Sequence, residues 1–150
     1  MTDPQRPCVL VTSTSSDAHT WNLVFLQLLL EELGWTVVNL GACVPVGTVV
    51  EECLAHQPVL VVVASLNGHG GRDGLRLIAA LRDRPELAGT PVVIGGLLDV
   101  AGGAGDGTGR VGAALSAAGY DAVFGTDGPQ RFRRYVVQLA TRRQVPVGER

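Results

Sequence analysis

The sequence predicts a doubly wound α/β domain, because short apolar segments alternate with segments of helical periodicity along the chain. One apolar segment, residues 59–65, lacks the alternation of a half-exposed strand and is typical of a parallel strand covered on both faces by helices. Glycine-rich or hydroxyl-rich stretches follow three of the apolar segments. Parallel strands are joined by right-handed crossovers, so the simplest arrangement is one parallel sheet between two helical layers.

Individual elements follow from periodicity and from the residues that end them. The first strand is short and β-branched, and Gly34 is suited to end the helix that follows it. The predicted strands are residues 8–13, 36–40, 59–65, 91–95 and 121–124. The predicted helices are residues 22–33, 46–56, 72–84, 110–118 and 130–143. We expect a five-stranded, flavodoxin-like (Rossmann-like) sheet with the order 2-1-3-4-5, in one domain that covers residues 1–150.

Composition narrows the possible functions. The 150 residues, 46% hydrophobic and 17% charged, are enough for one well-filled core. A net charge of -2 without a broad basic cluster argues against a nucleic-acid partner. There is no apolar run near the ~18 residues of a membrane span and no apolar signal segment at the N-terminus. With 3 cysteines that lack metal-site spacing, these features predict a soluble cytoplasmic protein without membrane association.

Residues suited to ligand binding follow the first, third and fourth predicted strands. Residues 12–20 are rich in hydroxyls, residues 65–71 are rich in glycine, and Gly95 and Gly96 follow the fourth apolar run. Open parallel sheets bind ligands at their carboxyl edge where the strand order reverses, here between the first and third strands. Glycine there allows a ligand to approach the backbone, although glycine also commonly just ends a strand.

Asp17 and His19 form a candidate metal-binding pair in the first of these loops. The Asp17 carboxylate can accept the Nδ1 proton of His19 and leave Nε2 free for a metal. One histidine is too few for a structural zinc site, so the metal would arrive already held in a macrocycle. Alternatively, Asp17 caps the following helix and His19 is a solvated residue of its first turn. The residues alone leave both interpretations open.

Three short segments resemble a known signature. In order, Asp17-Ala18-His19, Ala64-Ser65-Leu66 and Gly95-Gly96 are similar to the cobalamin-binding pattern DxHxxG, SxL and GG. The likeness extends over about residues 9–126 and is closest to the small subunit of glutamate mutase (methylaspartate mutase).

That resemblance implies adenosylcobalamin as the cofactor, His19 as the lower axial ligand of cobalt, and Asp17 as the group that orients the His19 ring. The nucleotide tail of the cofactor would lie in a slot beside the third and fourth strands. A larger partner subunit would bind substrate and perform the radical isomerisation. We expect no catalytic residue in this chain. The chain could also form a homodimer. The expected cofactor-binding residues are Ser16, Asp17, Ala18, His19, Thr20, Asn22, Ala64, Ser65, Leu66, Gly68, Gly95, Gly96, Leu97, Leu98, Asp99, Val100 and Ala101.

Two positions depart from the signature. Asn22 stands in place of the final Gly of DxHxxG, and Ala64 stands in place of the first Ser of SxL. The hydroxyl lost at Ala64 would cost about 1 to 3 kcal/mol of binding free energy unless Ser65 or a backbone group replaces it. We therefore expect weaker cofactor binding, but not its abolition.

Other functions remain open at this point. One is a methyl-carrying or non-catalytic corrinoid protein, although methyl carriers usually have a helical domain before the cobalamin domain and 7 residues precede the first predicted strand. Another is a flavodoxin-like electron carrier in which residues 12–20 hold the phosphate of FMN, without an obvious aromatic sandwich for its ring. The first helix also has a second apolar stripe, Trp21, Val24 and Leu28, which either a neighbouring helix or a partner subunit would cover.

Overall fold

The computed structural model describes residues 7–15, 21–65, 70–96, 110–125 and 128–142. Its strands are β1 (Cys8–Ser13), β2 (Thr36–Asn39), β3 (Leu60–Ser65), β4 (Val92–Gly96) and β5 (Ala122–Phe124). Its helices are α1 (Trp21–Glu32), α2 (Val46–His56), α3 (Gly70–Arg82), α4 (Arg110–Ala118) and α5 (Gly128–Arg142), with a 3-10 turn at Pro85–Leu87. All strand pairs are parallel and the order is β2-β1-β3-β4-β5, which confirms the predicted fold class and topology.

The helices form two layers, one on each face of the sheet. Alternate residues of a strand project to opposite faces, so Val9 and Val11 of β1 pack with α1 and α5, whereas Leu10 packs with α2, α3 and α4. Every residue of β1 and β3 is buried. The apolar run at residues 59–65 is therefore the doubly covered central strand that the sequence predicts.

The main difference from the predicted elements is the end of α3. The sequence predicts a helix through residue 84, whereas α3 ends at Arg82 and a separate 3-10 turn follows. The reason is Pro85, because a proline disfavours helical geometry in the residue before it. Arg84 accordingly adopts extended backbone angles, φ -97° and ψ 119°. Strand β4 is also shifted by one residue, because its pairing with β3 continues to Ser65 and Gly96.

Arg82 holds together four segments at the amino edge of β4 and β5. Its guanidinium donates hydrogen bonds to the carbonyl oxygens of Leu87 at 2.9 Å, Thr90 at 2.8 Å and Gly119 at 2.9 Å. It also pairs with the Asp121 carboxylate at 3.1 Å. One planar cation thus satisfies carbonyls from the 3-10 turn, the approach to β4 and the end of α4.

Within the described part of the chain, no helix has the length and apolar character needed to cross a bilayer.

We expect Arg82→Met to lower the free energy of unfolding by about 2 to 3 kcal/mol, because it leaves several part-buried carbonyls without a donor. Arg84→Met is the matched control, since Arg84 pairs with Glu86 at 3.1 Å where both side chains are exposed, and it should cost less than about 0.5 kcal/mol. Urea denaturation of the three proteins measures both values. Equal losses in the two variants would contradict the role given to Arg82.

Candidate functional site

Four residues near the carboxyl ends of the strands form one row across the sheet. The register pairs Ser13 with Ala64, Ala64 with Gly95, and Gly95 with Phe124. Residues aligned on parallel strands project to the same face, and both Ala64 and Phe124 belong to the core layer that α1 and α5 cover. We call Ser13, Ala64, Gly95 and Phe124 the edge row.

The middle of the edge row has almost no side-chain volume. Ala64 contributes one methyl group and Gly95 contributes none, whereas Ser13 and Phe124 stand on either side. The row therefore carries little side-chain bulk at β3 and β4, on the face that α1 and α5 cover. This is the strand pair beside which the resemblance to cobalamin-binding proteins implies a slot for the nucleotide tail, and side chains this small fit that group.

Phe124 stands beside Gly95 in the edge row, and the sequence analysis did not single it out. A Cβ added at Gly95 would lie 3.2 Å from the Phe124 Cβ and 3.3 Å from its carbonyl oxygen, so this close approach by itself favours glycine. The Phe124 ring makes edge contacts with Phe132 and Tyr135, at centroid distances of 5.6 and 5.9 Å. These two residues of α5 hold the ring in place.

Buried hydroxyl groups gather where β1 ends. The Thr12 hydroxyl donates to the Ser13 carbonyl oxygen at 3.1 Å, and the Ser13 hydroxyl donates to the Gly41 carbonyl oxygen at 3.1 Å. The Thr14 hydroxyl is buried as well and has no hydrogen-bond partner among the described residues. A polar rim of this kind suits a neutral ligand that carries many hydrogen-bonding groups.

A short side-chain network fixes the loop after β2 beside this rim. The Asn39 side-chain oxygen accepts a hydrogen bond from the Gly41 backbone N–H at 2.9 Å, and the Asn39 amide donates to Gln27 of α1 at 3.1 Å. Gly41 has φ +87°, a conformation that glycine adopts without strain. Together with the Ser13 bond, these contacts connect α1, β1 and β2 at one corner of the site.

The structure places five of the expected cofactor-binding residues. Asn22 lies half-buried in the first turn of α1, Ala64 and Ser65 end β3, and Gly95 and Gly96 end β4. Ser65 is buried and, by alternation along β3, projects to the face opposite Ala64, so its hydroxyl is not on the edge-row side. The remaining expected residues, 16–20, Leu66, Gly68 and 97–101, lie outside the described residues and stay predictions. Among the described residues, no group of three or more His, Cys, Asp or Glu side chains could hold a metal ion.

Two residues of the second apolar stripe of α1, Val24 and Leu28, are exposed. Val24 is 50% exposed and Leu28 is 61% exposed, and Phe25 between them is also exposed. No element among the described residues covers this surface, which we call the α1 surface (Val24, Phe25 and Leu28). Leu23 and Leu30, which also lie on α1, are buried against the sheet.

Comparison with known proteins identifies the family. Residues 7–103 match the B12 binding domain, which is more than half of the chain. The glutamate mutase sigma subunit of Halobacterium salinarum is 35% identical over 96 residues, which are 63% of this chain and 62% of that protein. The present chain thus spans less than two thirds of the length of this curated relative.

Two solved structures share the fold at low sequence identity. A cobalamin-binding protein from Desulfitobacterium hafniense superposes with a TM-score of 0.68 at 18% identity, covering 90% of this chain and 60% of that one. The monomethylamine corrinoid protein of Methanosarcina barkeri gives 0.66 at 19% identity, covering 89% of this chain and 57% of that one. These likenesses support the fold, whereas the match over residues 7–103 shows the family. The chain therefore belongs to the B12-binding domain family.

Proposed function

We propose that residues 1–150 form the adenosylcobalamin-binding small subunit of a carbon-skeleton mutase of the glutamate mutase type, which works with a larger, substrate-binding subunit. The observation that carries this proposal is the 35% identity to a glutamate mutase sigma subunit. The edge row supports it, because small residues lie where the nucleotide tail is expected. When bound, adenosylcobalamin supplies radical chemistry at a weak cobalt–carbon bond, and the chain supplies binding and orientation.

In this proposal the chain's own residues have separate tasks. Ala64 and Gly95 would place little side-chain bulk beside the nucleotide tail, with Ser13 and Phe124 on either side of them in the edge row. His19 would hold cobalt through Nε2, and Asp17 would accept the Nδ1 proton and so fix the ring orientation. A methyl-carrying corrinoid protein is the second candidate, since one such protein shares the fold at a TM-score of 0.66. The 19% identity to that corrinoid protein supports the fold alone. The 35% identity to the glutamate mutase sigma subunit favours the mutase.

His19→Gly should remove the protein nitrogen from cobalt. We expect the reduced, Co(II) form of the reconstituted protein, labelled with ¹⁵N-histidine, to show one strongly coupled histidine nitrogen in its electron paramagnetic resonance spectrum. The signal should disappear in His19→Gly.

The control for His19 is His56→Gln, because His56 pairs with Glu52 on α2 at 3.1 Å and has no assigned role in the site. His56→Gln should keep the histidine nitrogen signal. A signal that persists in His19→Gly would contradict the axial assignment.

Substitutions at Ala64 should move cobalamin affinity in opposite directions. Ala64→Ser restores the hydroxyl of the family signature on the edge-row face and should tighten binding about 10-fold, the effect of one added hydrogen bond. Ala64→Val adds two methyl groups beside Gly95 and should weaken binding. Isothermal titration with adenosylcobalamin measures both dissociation constants. Two variants that bind as tightly as the wild type would refute a tail site at this position.

The α1 surface is the proposed contact with the larger subunit, because α1 begins directly after the segment that contains His19 and because Val24, Phe25 and Leu28 are exposed. Leu28→Lys should leave cobalamin affinity unchanged and lower the glutamate mutase activity reconstituted with the large subunit from the same organism. The fold should tolerate the change, since the Leu28 side chain is 61% exposed.

Val137→Lys is the matched control, as Val137 is an exposed apolar residue of α5. It should retain the reconstituted activity. Unchanged activity in Leu28→Lys, together with loss of a homodimer in sedimentation, would instead assign the α1 surface to self-association.

A further inference from the structure

The Thr14 hydroxyl stands apart from its neighbours at the end of β1. Thr14 is 2% exposed, and its Oγ1 is the one buried side-chain nitrogen or oxygen among the described residues for which the structure gives no hydrogen-bond partner. The two hydroxyls before it, on Thr12 and Ser13, both donate to backbone carbonyls. The lack of a partner is thus specific to Thr14 within this buried run.

An unpaired hydroxyl in a buried position is unfavourable, because the group loses its hydrogen bonds to water and gains none in return. Valine has nearly the same shape and would avoid that cost. Buried polar groups of native proteins are almost always paired with protein, water or ligand. The Thr14 hydroxyl is therefore best explained by a partner other than the described residues of the chain.

Its position indicates what that partner is. Thr14 follows directly after β1, which lies between β2 and β3, so it is at the point of the carboxyl edge where the strand order reverses. Ligands of doubly wound sheets bind at this point. Thr14 directly follows Ser13 at the carboxyl end of β1, so a ligand that lies over the carboxyl ends of β1, β3 and β4 would pass close to Thr14.

We propose that the Thr14 hydroxyl hydrogen-bonds a carboxamide group of bound cobalamin, whose corrin ring carries several such neutral groups at its periphery. A neutral hydroxyl suits a neutral amide, since it can donate to the amide oxygen or accept from the amide nitrogen. Thr14 is outside the DxHxxG, SxL and GG segments, so it adds a binding residue to those that the family signature includes. The inference rests on the proposed corrinoid site but requires neither His19 ligation nor mutase activity.

The test compares two properties of Thr14→Val. The dissociation constant for adenosylcobalamin, from titration of the purified chain, should rise about 10-fold, the effect of one lost hydrogen bond. The urea midpoint of the cofactor-free protein should stay the same or increase, because valine removes an unpaired hydroxyl. Thr14→Ser keeps the hydroxyl and should bind within about 3-fold of the wild type.

Ser13→Ala is the control for a hydroxyl that already has a partner within the chain. It should lower the urea midpoint of the cofactor-free protein, since it removes the bond to the Gly41 carbonyl. Wild-type affinity in Thr14→Val would overturn the inference alone. A lower urea midpoint in Thr14→Val would overturn it too, because the hydroxyl would then have a partner within the chain. No binding of cobalamin by the wild type would overturn both the inference and the proposed function.

Discussion

The burial of β3 on both faces is the constraint on which the rest of the molecule depends. All six residues of Leu60–Ser65 are buried, so the central strand can hold polar groups only near its end. Strand β1 is also buried along its whole length, and its polar residues Thr12 and Ser13, with Thr14 directly after them, lie at its carboxyl end. Because parallel strands end at the same edge, this burial concentrates the ligand-binding chemistry where strand order reverses.

Most of the fold could be predicted from local patterns. The bounds of β1 and α4 were predicted to the residue, because β-branched and helical periodicities change sharply there. The predicted end of α3 was wrong because residues 82–84, Arg-Asp-Arg, contain no glycine or proline that would end a helix there. The helix ends at Arg82 because Pro85 follows and because Arg82 donates to carbonyls beyond the helix. Arg82 also bonds to Gly119 and Asp121, which are far from it in sequence and become its neighbours only in the folded chain.

The site was predicted less completely, for a different reason. Ala64 and Gly95 can be recognised by their spacing in the signature, but Phe124 depends on the register of β4 with β5. Thr14 is one of several consecutive hydroxyl residues, and sequence does not distinguish a paired hydroxyl from an unpaired one. The opposite orientations of Ala64 and Ser65 likewise follow from the strand pairing and explain why one cannot replace the other on the edge-row face.

The most direct test of the account is a crystal structure of this chain with adenosylcobalamin bound. We predict that the corrin ring lies over the carboxyl ends of β1, β3 and β4. The nucleotide tail should run past Ala64 and Gly95 on the face that α1 and α5 cover. A tail on the opposite face, among α2, α3 and α4, or a corrin ring bound away from this edge, would contradict the account.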